Sequence, residues 1–379
     1  MDFNLNEDQL MIQEMVHKFA EKELAPRAAH YDKTMEFPWE NVKKLAGLNL
    51  MGITVPPEYG GAGLDSLSYC IAIEEISRAC ASTGVITAVQ NSLAEFPLYK
   101  FGNEDHKKKY LPLLASGEKI GAYALTEPNS GSDAAGMETT AVAHEDHYIL
   151  NGVKTFITNS IAAEIFLLYA TVNKSLGHKG ICCFIIEKNF PGFKVGKKEE
   201  MMGVRASGTC QLILENCRVP KENILGAEGD GFKIAMTTLD VGRMGIAAQA
   251  VGIAQACMDQ SIKYAKERKQ FNQPISSFQL VQAMLVEMAV KIDAARLLLY
   301  RAAKLRDEGA KFVKESSMAK WFSSETAMEC AIKAVQIHGG YGYTTEYPVE
   351  RLMRDAKVTQ IYEGTSEIQK LVIARNLLG

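Results

Sequence analysis

The sequence lacks the features that mark membrane spans, secretion and metal frameworks. Its 379 residues contain no run of about 18 apolar residues, so no transmembrane helix is predicted. The first residues, MDFNLNEDQL, carry acidic groups early and have no continuous apolar core. This pattern argues against a signal peptide, and we expect a cytoplasmic protein or a mature matrix form. The eight cysteines form no CxxC pair, so we expect buried, reduced thiols and no metal site.

An excess of one charge is also missing, as are the common nucleotide and hydrolase motifs. Lys+Arg number 42 and Asp+Glu 45, which gives a net charge of −3 and no reason to expect nucleic-acid binding or membrane insertion. No GxGxxG, P-loop, GxSxG or HExxH motif occurs. A Rossmann, P-loop or serine-hydrolase site is therefore not indicated. The HEDH segment at 144–147 is interpreted as a polar turn between strands.

The chain divides into three parts by composition. The first third has helical periodicity, and Asn6 with Gln9 forms a potential capping box. Residues 120–220 consist of short runs rich in Ile, Val, Phe and Thr, separated by turn residues, which is typical of an antiparallel β domain. The last third is helical again, with a core stripe in 278–299 and an amphipathic helix at 366–378. We predict an α+β multidomain fold with domains at 1–119, 120–227 and 228–379.

Three polar segments could bind a ligand, and each also has a purely structural explanation. The small residues of YALTEPNSGSDAAG at 123–136 could hold phosphate or carbonyl oxygens, or form a plain strand-exit turn. KTFITNS at 154–160 could place a ring and a hydroxyl beside a planar cofactor, or form a half-buried strand. IHGGYGY at 337–343 allows close backbone approach to a ligand, or ends a helix.

Glu363 is the candidate catalytic residue. It lies between Tyr362 and Gly364, just before a Thr365-Ser366 pair that can cap the final helix. A carboxylate buried at such a boundary has a raised pKa and is a better base. The alternative is a simple interaction with the dipole of the following helix.

Five segments together resemble the acyl-CoA dehydrogenase family. They are TEPNSGSD, QIYEGTSEIQKLVIAR, VQIHGGYGYTTEYPVERLMRDAK, ERKQFNQPISSFQ and FKIAMTTLDVGRMGIAAQA. The likeness covers essentially the whole chain and is greatest to the short-chain, butyryl-type branch. It implies an N-terminal helical domain, a middle β domain and a C-terminal four-helix bundle. It also implies a homotetramer arranged as a dimer of dimers, FAD bound across a subunit interface, and electron-transferring flavoprotein as the acceptor.

The resemblance further implies roles for individual residues. Glu363 would remove the α-proton of a short acyl-CoA, the β-hydrogen would leave as hydride to flavin N5, and the product would be the trans-2-enoyl-CoA. The Glu363 N–H and a flavin ribityl hydroxyl would hold the thioester carbonyl. The implied FAD contacts are Tyr123, Leu125, Thr126, Ser132, Phe156, Thr158, Arg268, Gln279, Gln336, Gly339, Gly340, Thr365 and Glu367. The implied acyl-CoA contacts are Ser132, Asp240, Arg243 and Gly364.

Some positions depart from the pattern of related branches. Many relatives have Trp where this chain has Phe156. The isovaleryl and long-chain branches carry their base at the position of Gly242, so the resemblance assigns the base to Glu363 by exclusion. In glutaryl-type enzymes an Arg from this region binds the distal carboxylate. No basic residue lies between Arg78 and Lys100 here, so the resemblance argues against a diacid substrate. Glu95 is interpreted either as a surface residue or as part of the pocket floor.

Three other functions stay open from the sequence. A branched or cyclic acyl-CoA could replace the short straight chain. The same fold could serve as a non-catalytic acyl-CoA-binding scaffold, although the intact glutamate argues against it. An oxidase that passes electrons directly to oxygen is the third alternative.

Overall fold

The computed structural model describes residues 4–379, and helices form its first part. The Asn6 side chain accepts a hydrogen bond from Gln9 N at 2.8 Å, and the Gln9 side chain accepts one from Asn6 N at 3.1 Å, so the predicted capping box is confirmed. Two π-helical segments, Ala20–Leu24 and Gln90–Glu95, continue directly into the next helix. The helices are α1 (Glu7–Phe19), α2 (Ala25–Thr34), α3 (Trp39–Ala46), α4 (Ser66–Ala79), α5 (Ala81–Val89), α6 (Phe96–Phe101) and α7 (Glu104–Ala115).

An eight-stranded sheet forms the middle of the chain. Its strands are β1 (Gly121–Ala124), β2 (Thr140–Ala143), β3 (His147–Ile157), β4 (Ile165–Thr171), β5 (Ile181–Glu187), β6 (Phe193–Lys198), β7 (Cys210–Pro220) and β8 (Ile224–Leu225). The order across the sheet is β6-β7-β3-β2-β4-β5-β8, and β1 pairs with β4. The β2–β3 hairpin turns at the predicted polar segment, where His144 N donates to His147 O at 2.8 Å.

The sheet is mixed, which differs from the purely antiparallel arrangement that we expected. Strands β1 and β2 both run parallel to β4, while the other strand pairs of this sheet are antiparallel. The alternation of side chains is the same in both kinds of ladder, so composition cannot distinguish them.

Long helices return after the sheet. Helices α8 (Gly231–Glu267), α9 (Gln279–Asp307) and α10 (Val313–His338) pack against one another, and α11 (Val349–Thr359) and α12 (Ser366–Leu378) pack against α10. A small hairpin of β9 (Lys269–Gln270) and β10 (Gln273–Pro274) joins α8 to α9. The α12 bounds match the predicted helix at 366–378. The predicted core stripe on α9 is confirmed in part, because Met288, Ile292 and Leu299 are buried.

The three-part architecture of helices, sheet and helices is therefore as predicted. All eight cysteines are buried and unpaired, as expected. Within residues 4–379, no helix is both long and apolar enough to span a membrane, and no cluster of three metal-ligating side chains occurs. The exact domain boundaries stay a prediction.

Candidate active site

Glu363 lies in the short turn between α11 and α12. Its φ of 54° and the φ of 95° at Gly364 are both in the left-handed region. A residue with a side chain rarely adopts this conformation, and such strain is common at functional sites. Thr365 caps the following helix, because its side chain accepts a hydrogen bond from Ile368 N at 3.3 Å. The turn and the cap together fix where the glutamate side chain leaves the backbone, as predicted for the loop–helix boundary.

One oxygen of the Glu363 carboxylate is shielded from water, although the residue as a whole is half-buried. Its Oε2 atom is buried and has no hydrogen-bond partner among the described residues. This burial raises the pKa of Glu363 to about 7, although the nearby positive charges of Lys320 and Arg243 act to lower it. A carboxylate with this pKa is half ionised near neutral pH and can accept a proton from a weak carbon acid.

Gly242 on α8 provides the space that the carboxylate occupies. A Cβ atom at this position would lie 2.1 Å from Glu363 Oε2 and 2.7 Å from Leu93 Cδ2. Both distances are too short for real atoms, so a larger side chain would require the glutamate to move. Position 242, where the resemblance places the base of other branches, therefore faces the same point in space as the Glu363 carboxylate.

The buried Arg243 pairs with the half-buried Asp240, one turn away on α8. Arg243 Nη1 donates to Asp240 Oδ1 at 2.6 Å and to Ser317 Oγ at 3.4 Å, while its Nε is buried without a partner in residues 4–379. Burial raises the pKa of Asp240 to about 6, although Arg243 opposes this shift. The unpartnered Nε is a donor that a bound ligand could use.

Lys320 and Gln369 also belong to the site, although no sequence motif marks either residue. Lys320 on α10 is fully buried and donates from Nζ to Gly364 O at 2.6 Å. Gln369 on α12 donates from Nε2 to Gly364 O at 2.9 Å and to Glu363 O at 3.2 Å. A single lysine in an amphipathic helix normally faces solvent, so no sequence pattern marks this one as buried.

A buried ion pair organises the loop after β1. Lys154 Nζ donates to Glu127 Oε1 at 2.7 Å and to Leu125 O at 3.0 Å. The Glu127 carboxylate also accepts from Glu138 N at 2.5 Å and from Thr139 N at 3.0 Å. The loop is thus held by specific bonds, which a plain strand-exit turn would not need. Of the predicted contacts here, Leu125 is buried, Tyr123 and Thr126 are half-buried, and Ser132 is exposed.

Phe156 projects outward from a bulge in β3. The pairing of β3 with β7 shifts register between Lys154 and Ile157, and Phe156 has a φ of 57°. Its ring is 59% exposed, while Thr158 two residues later is half-buried. An exposed aromatic ring on a strained bulge is poorly explained as part of a half-buried strand. It is well placed to contact a planar ligand.

A cleft of about 540 Å³ lies at the C-terminal end of α10, away from Glu363 in the sequence. It brings together Arg268, Gly339 and Gly340, with Tyr264 and His338 in its wall. Cβ atoms built at Gly339 or Gly340 would meet no described atom within 4 Å, so a ligand can approach the backbone here. The other residues predicted on this side do not line the cleft: Gln279, Gln336 and Glu367 are exposed and Thr365 is half-buried.

Glu95 is fully buried, so its interpretation as a surface residue is wrong. Both of its carboxylate oxygens lack hydrogen-bond partners within residues 4–379, and burial raises its pKa well above the usual range. It lines a cleft of about 370 Å³ together with Thr54, Tyr99 and Arg306.

Comparison with known proteins agrees with this architecture over the whole chain. Models of the acyl-CoA dehydrogenase N-terminal, middle and C-terminal domains match residues 6–118, 122–217 and 229–378. The short-chain specific acyl-CoA dehydrogenase of Clostridium acetobutylicum is 52% identical over 374 residues, covering 99% of both chains.

Two solved structures are also closely similar, and both alignments cover 100% of each chain. Butyryl-CoA dehydrogenase from Megasphaera elsdenii superposes with a TM-score of 0.98 at 45% identity. A chain from a structural study of the electron transferring flavoprotein of Acidaminococcus fermentans, which concerned flavin-based electron bifurcation, has a TM-score of 0.98 at 51% identity.

The chain belongs to the acyl-CoA dehydrogenase family. It is a flavin-dependent oxidoreductase that dehydrogenates acyl-CoA thioesters, and its cofactor is FAD. The residues present fit this cofactor, since the exposed Phe156 ring suits a planar group and the open Gly339–Gly340 backbone with Arg268 suits a pyrophosphate.

Proposed function

We propose that this enzyme converts a short-chain acyl-CoA to the trans-2-enoyl-CoA with Glu363 as the base. The observation that carries the proposal is the Glu363 carboxylate, whose Oε2 atom is buried and unpartnered and whose pKa is raised to about 7. The short-chain substrate is supported by the names of the Clostridium and Megasphaera relatives.

The residues of this chain divide the work between binding and proton transfer. Glu363 takes the α-proton onto its carboxylate, and its backbone N–H donates to the thioester oxygen, which stabilises the enolate as charge develops. Ser132, Asp240, Arg243 and Gly364 bind the acyl-CoA, for which Arg243 Nε is a buried and unused donor. Bound FAD supplies the hydride acceptor at flavin N5.

The FAD contacts are proposed to come from two groups of residues. Tyr123, Leu125, Thr126, Phe156 and Thr158 hold the flavin ring and ribityl chain, while Arg268, Gly339 and Gly340 hold the pyrophosphate and adenosine end. The exposed residues Gln279, Gln336 and Glu367, together with Thr365, are free to contact FAD of a neighbouring subunit. This division is consistent with a homotetramer built as a dimer of dimers.

Electron-transferring flavoprotein is the proposed electron acceptor. The similarity to a chain described with the Acidaminococcus electron transferring flavoprotein supports this partner. The oxidase alternative is tested by comparing how fast oxygen and electron-transferring flavoprotein reoxidise the reduced enzyme. The cytoplasmic location expected from the amino-terminal residues stays a prediction.

An anaerobic titration of the purified protein with butyryl-CoA tests the proposal, with the visible band of the flavin as the readout. We expect prompt bleaching and the formation of crotonyl-CoA. A yellow protein that does not bleach would move the substrate to branched, cyclic or longer thioesters. A protein that binds no flavin, even with added FAD, would favour the scaffold alternative.

The substitution Glu363→Gln tests the base separately. It keeps the size of the side chain and removes its ability to accept the proton. We expect FAD to stay bound and turnover to fall by at least about 10²–10⁴-fold, the typical contribution of a general base. Turnover close to that of the unmodified enzyme would show that another residue is the base.

A further inference from the structure

The backbone that carries Glu363 is held by side chains from two different helices. Lys320 Nζ, on α10, donates to Gly364 O at 2.6 Å. Gln369 Nε2, on α12, donates to the same oxygen at 2.9 Å and to Glu363 O at 3.2 Å. Two donors thus converge on a single carbonyl next to the base.

We propose that Lys320 is a positioning residue for the base: it fixes the Glu363–Gly364 turn, and its positive charge favours the ionised form of the Glu363 carboxylate. The inference rests on the proposed function, because it concerns how the proposed base works. It adds to that function a second group, on a different helix, that sets both the place and the charge of the carboxylate.

The geometry explains why the turn needs to be held. Both Glu363 and Gly364 have left-handed φ values, of 54° and 95°. A side chain at such a φ is strained, and the conformation persists only where the surroundings enforce it. Without the two donors, we expect Glu363 to relax and its carboxylate to leave the space beside Gly242.

The choice of lysine is informative because burying an ammonium group is costly. Lys320 is 0% exposed, and an apolar side chain of similar length would pack there without that cost. A purely structural residue at this point would need no charge. Burial opposes the charge of Lys320, and among the charged groups around it the Glu363 carboxylate does most to favour that charge.

The charged groups that face Lys320 determine the sign of the expected pH effect. They are Glu363, Arg243, Glu325 and Glu367. Glu325 accepts from Ser366 Oγ at 2.6 Å, and Glu367 is exposed and therefore screened by water. Burial lowers the pKa of Lys320 to about 7, so its ammonium group is protonated on the acid side of that pH. In that range the charges of Lys320 and Arg243 lower the pKa of Glu363. When the lysine charge is lost, only Arg243 remains to lower the pKa of Glu363. The pKa of Glu363 therefore rises.

The experiment measures kcat against pH, with the thioester that bleaches the flavin of the unmodified enzyme. Turnover requires the ionised base, so kcat rises with pH through the pKa of Glu363. In Lys320→Met we expect this acid limb to move up by about one pH unit, with kcat about tenfold lower below the limb. Lys320→Arg keeps the charge and should retain the position of the limb.

Two further variants separate position from charge. Gln369→Leu removes one donor without changing any charge, and should lower kcat at all pH values without moving the limb. Lys304→Met removes an exposed lysine of α9 and serves as the matched control, with no expected change. FAD content and the unfolding temperature are measured for every variant to establish that it is folded.

Two results would overturn the inference. One is an unchanged acid limb in folded, FAD-containing Lys320→Met, and the other is the same upward shift in Lys320→Arg as in Lys320→Met. Failure of the proposed function is distinguishable, because the unmodified enzyme would then not bleach with any acyl-CoA, or Glu363→Gln would retain turnover.

Discussion

The substitution Gly242→Ala tests the contact between α8 and the catalytic carboxylate. The new methyl group would lie 2.1 Å from Glu363 Oε2, whereas an ordinary contact begins at 3.4 Å, so the carboxylate must recede by about 1.3 Å. A displacement of about 1 Å in an active site can cost about 100-fold in rate. We therefore expect the rate of flavin reduction to fall by about 100-fold.

The helix itself should tolerate this change. Alanine is favoured over glycine in a helix by about 1 kcal/mol, so α8 is not weakened by the substitution. The assay is anaerobic stopped-flow reduction of the flavin by saturating acyl-CoA, with FAD content and thermal unfolding measured on the same preparation. These measurements separate a moved carboxylate from a misfolded protein.

A second variant isolates which contact causes the loss. The methyl group at position 242 would also lie 2.7 Å from Leu93 Cδ2. Adding Leu93→Ala to Gly242→Ala removes this clash and keeps the one with Glu363, so the loss should persist. Flavin reduction within about twofold of the unmodified rate in Gly242→Ala would refute the placement of the carboxylate against α8.

Three other predictions follow from the same region and from the loop after β1. The double variant Gly242→Glu with Glu363→Gly should recover turnover that Glu363→Gly lacks, because both positions face one point in space; steady-state assays of the two variants test this. Glu127→Ala leaves the buried Lys154 without its partner and should lower the free energy of unfolding by about 3–5 kcal/mol, measured by denaturant titration. Thr365→Ala removes the side-chain cap of α12 and should lower the free energy of unfolding by about 0.5–2 kcal/mol, measured by the same titration.

The fold was predictable where local chemistry decides it. The Asn6–Gln9 capping box and the helix that starts at Ser366 both depend on residues three or four positions apart, and both are present as predicted. The parallel pairing of β1 and β2 with β4 was not predictable, because it depends on contacts between strands far apart in sequence. Side-chain alternation within a strand is the same whichever neighbour it has.

The candidate site follows the same division. Glu363 was identifiable from its local sequence and from the family resemblance, as was Thr365, which caps α12. Lys320 was not, since its burial follows from the packing of α10 against the turn that carries Gly364. Nor could the sequence show that Glu95 is buried without partners, because its neighbours in the chain do not determine which elements cover it.

The pairing of Glu127 with Lys154 has a consequence for how the flavin site is assembled. Glu127 directly follows Thr126 in the loop after β1, and Lys154 lies two residues before Phe156 on the bulged strand. One internal ion pair therefore joins the hydroxyl side and the aromatic side of the proposed flavin contact. The two sides form or fail together, so damage to either should produce an all-or-none loss of cofactor rather than a graded weakening.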